Sequence, residues 1–323
     1  MSQFLDRRRL LCTALIAPLV AEGLSACASE LPPIPRVGGP YLKPALNVYS
    51  FLEPLNANIK DPKTGIDLFG VCEFAANLNI DAVDLTGYFF PGYPKAPNTS
   101  FLNRIKRHTH RLGLDISGTG VRNDFATADK VVREAGVKLS QEWIEVAARL
   151  GAPIIRVFAG PQSPHKDWQT ASGNAKREDV ETWMADSLRG CAEHGEKFGV
   201  QVAVQNHGDF LNSASEHLSL LKRVDHEWCG ALVDTGKYLT DDAYADIKTM
   251  VPYAINWQIK ETLGSSTKSP ATDIMRLVRI IYEGGYRGYV PIETLSMGRK
   301  NYNPAVEVTK LLAELRAAIA TFK

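Results

Sequence analysis

From residue 45 onward the chain alternates short apolar runs with longer helical patterns, and it does so eight times. The runs expected to form strands are Leu46 to Phe51, Ala82 to Thr86, Leu114 to Gly118, Ile154 to Ala159, Val200 to Gln205, Gly230 to Asp234, Ala254 to Ile259 and Tyr289 to Glu293. Between them apolar residues recur at three- and four-residue steps. Val180, Trp183, Met184, Leu188 and Cys191 do so, as do Val308, Leu311, Leu312, Leu315 and Ile319, the mark of helices with one buried face. Gly151 and Gly199 stand where such a helix must end before the next strand, a position that favours the left-handed cap. Eight strand–helix units over roughly 280 residues suit a single (β/α)8 TIM barrel, which needs about 250. The rival is an open doubly wound sheet, but the Gly-rich phosphate turn after its first strand is missing.

The first 27 residues read differently. Asp6-Arg7-Arg8-Arg9-Leu10-Leu11 sets paired arginines before an apolar run to Ala21, and Leu24-Ser25-Ala26-Cys27 follows. The run is shorter than the roughly 20 residues of a spanning helix. Its order resembles a twin-arginine export signal joined to a bacterial lipobox, with Cys27 as the lipidated first residue of the mature protein. Residues 28–44 carry five prolines, from Pro32 to Pro44, with Gly38 and Gly39, and are expected to be a tether. The barrel domain is then 45–323, in a periplasmic or membrane-anchored lipoprotein that meets the membrane only through its lipid.

Charge narrows the choice of partner. Thirty-seven Lys and Arg against 36 Asp and Glu leave a net charge of +1, without the basic excess that recruits nucleic acid. The expected ligand is a small molecule. Of the five cysteines, Cys12 falls in the leader, and Cys72, Cys191 and Cys229 are widely spaced in apolar segments. They suggest buried thiols rather than a zinc site or a disulfide framework.

In such barrels the reacting groups lie at the carboxyl ends of the strands. Four apolar runs end there in polar residues: Gln205-Asn206-His207, Asp234-Thr235-Gly236-Lys237, Gln258-Ile259-Lys260-Glu261, and Glu293. Residues two apart on a strand share a face, so Ala203 points with Gln205, Gln258 with Lys260, and Pro291 with Glu293. If those faces line the barrel mouth, Gln205, Asp234, Gln258 and Glu293 converge.

Six segments in order carry a resemblance. Ile80-Asp81-Ala82-Val83-Asp84-Leu85, Leu150-Gly151-Ala152-Pro153-Ile154-Ile155-Arg156-Val157, His194 through His207, Val233-Asp234-Thr235-Gly236, Gln258-Ile259-Lys260-Glu261 and Ile292-Glu293 together resemble the xylose isomerase-like TIM barrels. That sugar phosphate isomerase/epimerase family includes D-tagatose 3-epimerase-like enzymes. The resemblance implies a divalent metal held by Glu, Asp, His and Glu from four strands, the two glutamates moving protons at a carbon next to a carbonyl. By position Asp234 and Glu293 keep their carboxylates, whereas Gln205 replaces the first Glu and Gln258 the His. Two carboxylates and two amide oxygens suit Mg²⁺, Mn²⁺ or Ca²⁺, and a polar mouth without metal is compatible with the same residues.

Gln cannot act as a base, so the resemblance leaves Glu293 as the candidate general base. Lys260 is a candidate for binding substrate hydroxyls or an enolate oxygen, or is simply solvated, and His207 is a second proton carrier or a structural histidine. Glu261 is a further acid–base candidate. Arg156, Lys237 and Trp168 are candidate substrate contacts, with Gln162, His165 and the aromatics Tyr88, Phe89, Phe90 and Tyr93 on neighbouring loops. The implied activity is isomerisation or epimerisation of a sugar or keto-sugar. The alternatives are a lyase or hydrolase acting on 3-keto-glycosides, or a non-catalytic, lipid-anchored carbohydrate-binding protein. Phosphodiester hydrolysis on this barrel needs a richer histidine cluster than seven scattered histidines provide.

Overall fold

The computed structural model describes residues 31–161, 167–267 and 269–322. The segment expected to be a leader, with Cys27, and the residues Gln162 and His165 lie outside the described residues. Eight parallel strands close into a barrel in sequence order, each paired with its neighbours and β1 with β8. They are β1 (Tyr41–Asn47), β2 (Ala82–Thr86), β3 (Asp115–Gly120), β4 (Ile154–Phe158), β5 (Gln201–Gln205), β6 (Cys229–Asp234), β7 (Ala254–Lys260) and β8 (Arg287–Glu293). Around them run α1 (Leu52–Lys60), α2 (Leu68–Asn77), α3 (Thr99–Arg111), α4 (Lys130–Leu150), α5 (Trp168–Ala171), α6 (Arg177–Phe198), α7 (Ala214–Val224), α8 (Ala243–Met250), α9 (Ile274–Glu283) and α10 (Pro304–Ala320).

The helices start and stop where local chemistry requires it. Asp67, Asn98, Asp129, Asp242 and Asp273 each accept a backbone N–H of the first turn, and Ser213 with Glu216 forms a capping box on α7, satisfying donors that the helix leaves orphaned. Gly151 and Gly199 end α4 and α6 in the left-handed region at φ 79° and 69°. The main core lies between strands and helices, with Trp143, Ile144, Leu188 and Ile281 fully buried. A separate small cluster of Ile154, Ala203 and Leu232 fills the barrel interior. Two residues further along the same strands stand Arg156, Gln205 and Asp234, so the strand period lifts each chain from an apolar plug to a polar tip. Cys72 and Cys191 are buried free thiols and Cys229 is half-buried.

The first strand departs from expectation. It begins at Tyr41, inside the segment expected to be a tether, and the chain has already turned into a short 3₁₀ helix by Val48–Phe51. Pro44 is tolerated because its carbonyl, and so its absent N–H, faces Asp81 just ahead of β2, where the β1–β2 register has not yet begun and no ladder bond is lost. The preceding residues are docked as well: the Ile34 N–H donates to the Pro252 carbonyl at 3.0 Å, and the Arg36 guanidinium bonds the carbonyls of Val251 and Ala254.

One buried histidine ties the outer layer to the barrel. His217 on α7 lies 2.9 Å from the Tyr238 hydroxyl through Nδ1 and 3.1 Å from the Val204 carbonyl through Nε2. Burial holds its imidazole down to about 4, with the Val204 carbonyl opposing that effect. The unfolded chain takes up this proton near the ordinary value of 6.5, so stability supplied by neutral His217 is present above 6.5 and is lost as pH falls toward 4. Denaturant unfolding at pH 7 and pH 4.5 should show an acid loss about 2–3 kcal/mol smaller in His217→Gln than in wild type. Identical pH dependence in the two proteins would remove this linkage.

Candidate active site

Gln205, Asp234, Gln258, Lys260 and Glu293 come together at the carboxyl end of the barrel, all buried. Their backbones are fixed first. The Asn206 side chain accepts the Asp234 N–H at 2.7 Å and donates to the Asp234 carbonyl at 3.0 Å, cross-linking the tips of β5 and β6. The Thr235 hydroxyl accepts the Lys260 N–H at 3.0 Å, and the Thr235 N–H donates to the Gln258 carbonyl. Asn206 and Thr235 therefore set the level at which the reactive side chains leave their strands.

The side chains are then bound to one another. The Gln205 amide Nε2 donates to Asp234 Oδ2 at 2.7 Å and to Gln258 Oε1 at 2.6 Å. The Lys260 ammonium lies 2.6 Å from Glu293 Oε1 and 3.4 Å from Asp234 Oδ2. Asp234 Oδ1 accepts the Gly236 N–H at 3.0 Å. Burial by itself would pull the Lys260 ammonium down, but Asp234 and Glu293 outweigh it and hold the group charged, above its ordinary value. Two anions and one cation, desolvated together, make a triad whose members cannot be removed singly without leaving a buried charge uncompensated.

This arrangement does not fit a divalent metal. A metal bridging Asp234 and Glu293 would take the place that the Lys260 ammonium holds. Gln205 turns its NH₂ toward Asp234 and Gln258 because the reverse orientation would press its oxygen against two other acceptors. The four expected ligands thus converge, but as a hydrogen-bonded set built around an ammonium.

Above the triad opens a cavity of about 610 Å³, walled by Tyr49, Tyr88, Arg122, Arg156, Phe158, His207 and Lys237 as well as Gln205, Gln258, Lys260 and Glu293, a size suited to a small ligand. Arg156 is 5% exposed; it donates to the Val121 carbonyl at 2.6 Å and lies 4.1 Å over the Phe158 ring. It fits because β3 is bare at that level: a Cβ on Gly120 would stand 2.9 Å from the guanidinium. A Cβ on Gly118 would likewise stand 2.7 Å from the buried Asp84 carboxylate. Asp84 accepts from Asn256 at 3.1 Å, and burial pushes its carboxyl up to about 6, against the pull of Asn256 and Arg156. His207 packs edge-on to Phe158 at 5.1 Å. Burial, then Lys237, Lys260 and Arg156, hold its imidazole well below the ordinary range, so it is neutral. Gln205 Oε1 and His207 Nδ1 are buried without a hydrogen-bond partner among the described residues.

Some expected contacts lie elsewhere. Trp168 is not in the cavity wall: its N–H donates to the Asp209 carboxylate and its ring packs edge-on against Phe210 at 5.3 Å. The short helix α5 carries it away from the mouth. Glu261 is taken by Arg299. Of the loop aromatics only Tyr88 lines the cavity; Phe90 and Tyr93 pack on Trp143, and Phe89 is buried. Asn47, Tyr49, Ser50 and Arg122 are wall residues that the sequence reading missed. Reading residues 46–51 as one straight strand hid the turn at Val48, and ending the third strand at Gly118 hid the tip that Arg122 follows.

Comparison with known proteins agrees with this architecture. D-psicose 3-epimerase with D-tagatose from Clostridium cellulolyticum H10 superposes with a TM-score of 0.67 at 16% identity, covering 86% of this chain and 99% of that one. An L-ribulose 3-epimerase gives 0.66 at 14% identity over 87% and 97% of the two chains. The IOLI protein with a binding zinc atom gives 0.67 at 13% identity over 87% and 99%. At such identities the likeness speaks to the fold. Residues 72–317 match the family described as xylose isomerase-like TIM barrel, and with the closed eight-stranded barrel this places the chain in that family.

Proposed function

We propose that this protein is a sugar isomerase or epimerase-like enzyme that moves a proton on the carbon next to a carbonyl, with the Lys260 ammonium as its fixed cation. The observation that carries the reading is the position of Lys260 between Asp234 and Glu293 at the strand tips. A sugar entering the cavity offers hydroxyls to Gln205 Oε1 and His207 Nδ1, buried polar atoms of wall residues that have no partner among the described residues, and apolar ring faces to Tyr88 and Phe158. Its carbonyl oxygen competes with Glu293 for the Lys260 ammonium, while Asp234 keeps that ammonium in place. Glu293, released, takes the proton from the adjacent carbon, and the negative charge arriving on the oxygen meets an ammonium already aimed at it. Because Lys260 is preorganised and desolvated, little reorganisation is needed as the charge develops.

The proton returns from Glu293 to the neighbouring carbon on the same face. With Gln205 where a second carboxylate would stand, a single carboxylate base favours same-face isomerisation, or β-elimination from a 3-keto-glycoside, over two-base epimerisation. Neutral His207 is placed to accept or return a hydroxyl proton. The arginine pair, apolar run and Cys27 support a site of action outside the cytoplasm, on a lipid anchor. Intact mass of membrane-extracted protein should then begin at a lipidated Cys27; Met1 retained with Cys27 unmodified would contradict export by this route.

The chemical reading is tested in D₂O. Incubating the protein with ketoses and 3-keto-glycosides should give carbon-bound deuterium exchange by NMR. Glu293→Gln should lower the rate by about 10²–10⁴-fold, and Lys260→Met by about 10²–10³-fold, with thermal melts confirming that both variants fold. Exchange unchanged in Glu293→Gln would remove the mechanism. Sugar binding without exchange in wild type would favour the non-catalytic carbohydrate-binding alternative.

A further inference from the structure

The cavity wall carries more positive charge than proton transfer on a neutral sugar requires. Four cationic side chains face it, Arg122, Arg156, Lys237 and Lys260, against the carboxylates of Glu53 and Glu293. Lys260 is matched by Glu293 and Asp234, and Glu53 is exposed at the rim. Among the described residues, Arg122, Arg156 and Lys237 meet no carboxylate at ion-pair distance. They are held by other means. Arg122 lies 4.3 Å and Arg156 5.3 Å from the centre of the same Tyr88 ring, and Arg156 lies 4.1 Å from that of Phe158. Such contacts position a guanidinium without neutralising it. The buried Asp84 carboxyl, which feels the charge of Arg156, accepts its hydrogen bond from Asn256.

Two guanidinium groups over one ring repel each other, and the buried one, Arg156, has also lost hydration. An anion delivered by the ligand relieves both effects. On the reading of the cavity as a sugar site, we infer that the substrate is an acidic sugar, its carboxylate or phosphate held by Arg156, Arg122 and Lys237 while its carbonyl end reaches Lys260 and Glu293. Arg156 is the anchor: one guanidinium edge is fixed on the Val121 carbonyl, and Gly120 leaves it room to lie flat against β3. Arg122 and Lys237, at the more open wall, draw the anion in and select against neutral sugars.

Calorimetry with D-fructuronate, D-fructose 6-phosphate and D-fructose tests this and separates the two anions. At low salt at least one acidic sugar should bind tenfold or more tightly than D-fructose, and raising NaCl from 20 to 200 mM should weaken that sugar alone. The exposed-side double variant Arg122→Gln/Lys237→Gln should lower the ratio about threefold or more, weakening the acidic sugar more than D-fructose. Arg156→Gln, if its melt shows it folded, should bring the ratio close to one. D-fructose binding as tightly as both acids, or a preference that the double variant leaves undiminished, overturns the inference and leaves the isomerase reading standing. Failure of all three sugars to bind removes both.

Discussion

One ammonium between two carboxylates organises the mouth of this barrel. Lys260 touches Glu293 at 2.6 Å and Asp234 at 3.4 Å, all three nearly out of solvent. Charges buried this way gain stability only when each finds its counter-charge and its remaining hydrogen-bond partners. The neighbouring groups supply them: Gly236 bonds the second oxygen of Asp234, Gln205 bonds the first and passes its other N–H to Gln258. The charged groups of the mouth are therefore held in one network before any substrate arrives, while Gln205 Oε1 and His207 Nδ1 are left without partners among the described residues.

That network needs the barrel beneath it. Parallel strands with a two-residue period put Ile154, Ala203 and Leu232 in the interior and Arg156, Gln205 and Asp234 one step above them. Asn206 and Thr235 then lock three strand tips in register. Two bare positions on β3, Gly118 and Gly120, create the volume that Asp84 and Arg156 fill. The result is a cationic pocket in which the Glu293 carboxylate stands beside the Lys260 ammonium; in the function proposed here, Glu293 exchanges that partner for a substrate proton. Fixed groups of this kind act on a developing charge without first having to move.

Most of the frame was legible in the sequence because it rests on periodicity. Eight apolar runs with helical spacers specify the barrel, and strand ends such as Gln205, Asp234, Gln258 and Glu293 announce themselves by the change from apolar to polar. What the sequence hid was partner choice. Lys260 next to Glu261 reads as one of two charged loop residues. Only the closed sheet turns the first toward Asp234 and Glu293 and the second toward Arg299. Four oxygen-bearing residues likewise suggest a cation site, but spacing along the chain does not say that a lysine stands in their midst. Tyr41–Pro44 was missed because prolines argue against a strand wherever pairing is unknown, and Trp168 because an aromatic in a loop carries no direction.

The Lys260 ammonium fills the space between Asp234 and Glu293 that a divalent cation held by those carboxylates would need. Metal analysis of protein purified without chelator and then equilibrated with Mn²⁺ tests it most directly. Wild type should bind far less than one equivalent per chain, and Lys260→Ala, which removes the ammonium, should gain a site. One tightly held equivalent in wild type, released by Asp234→Asn, would contradict it.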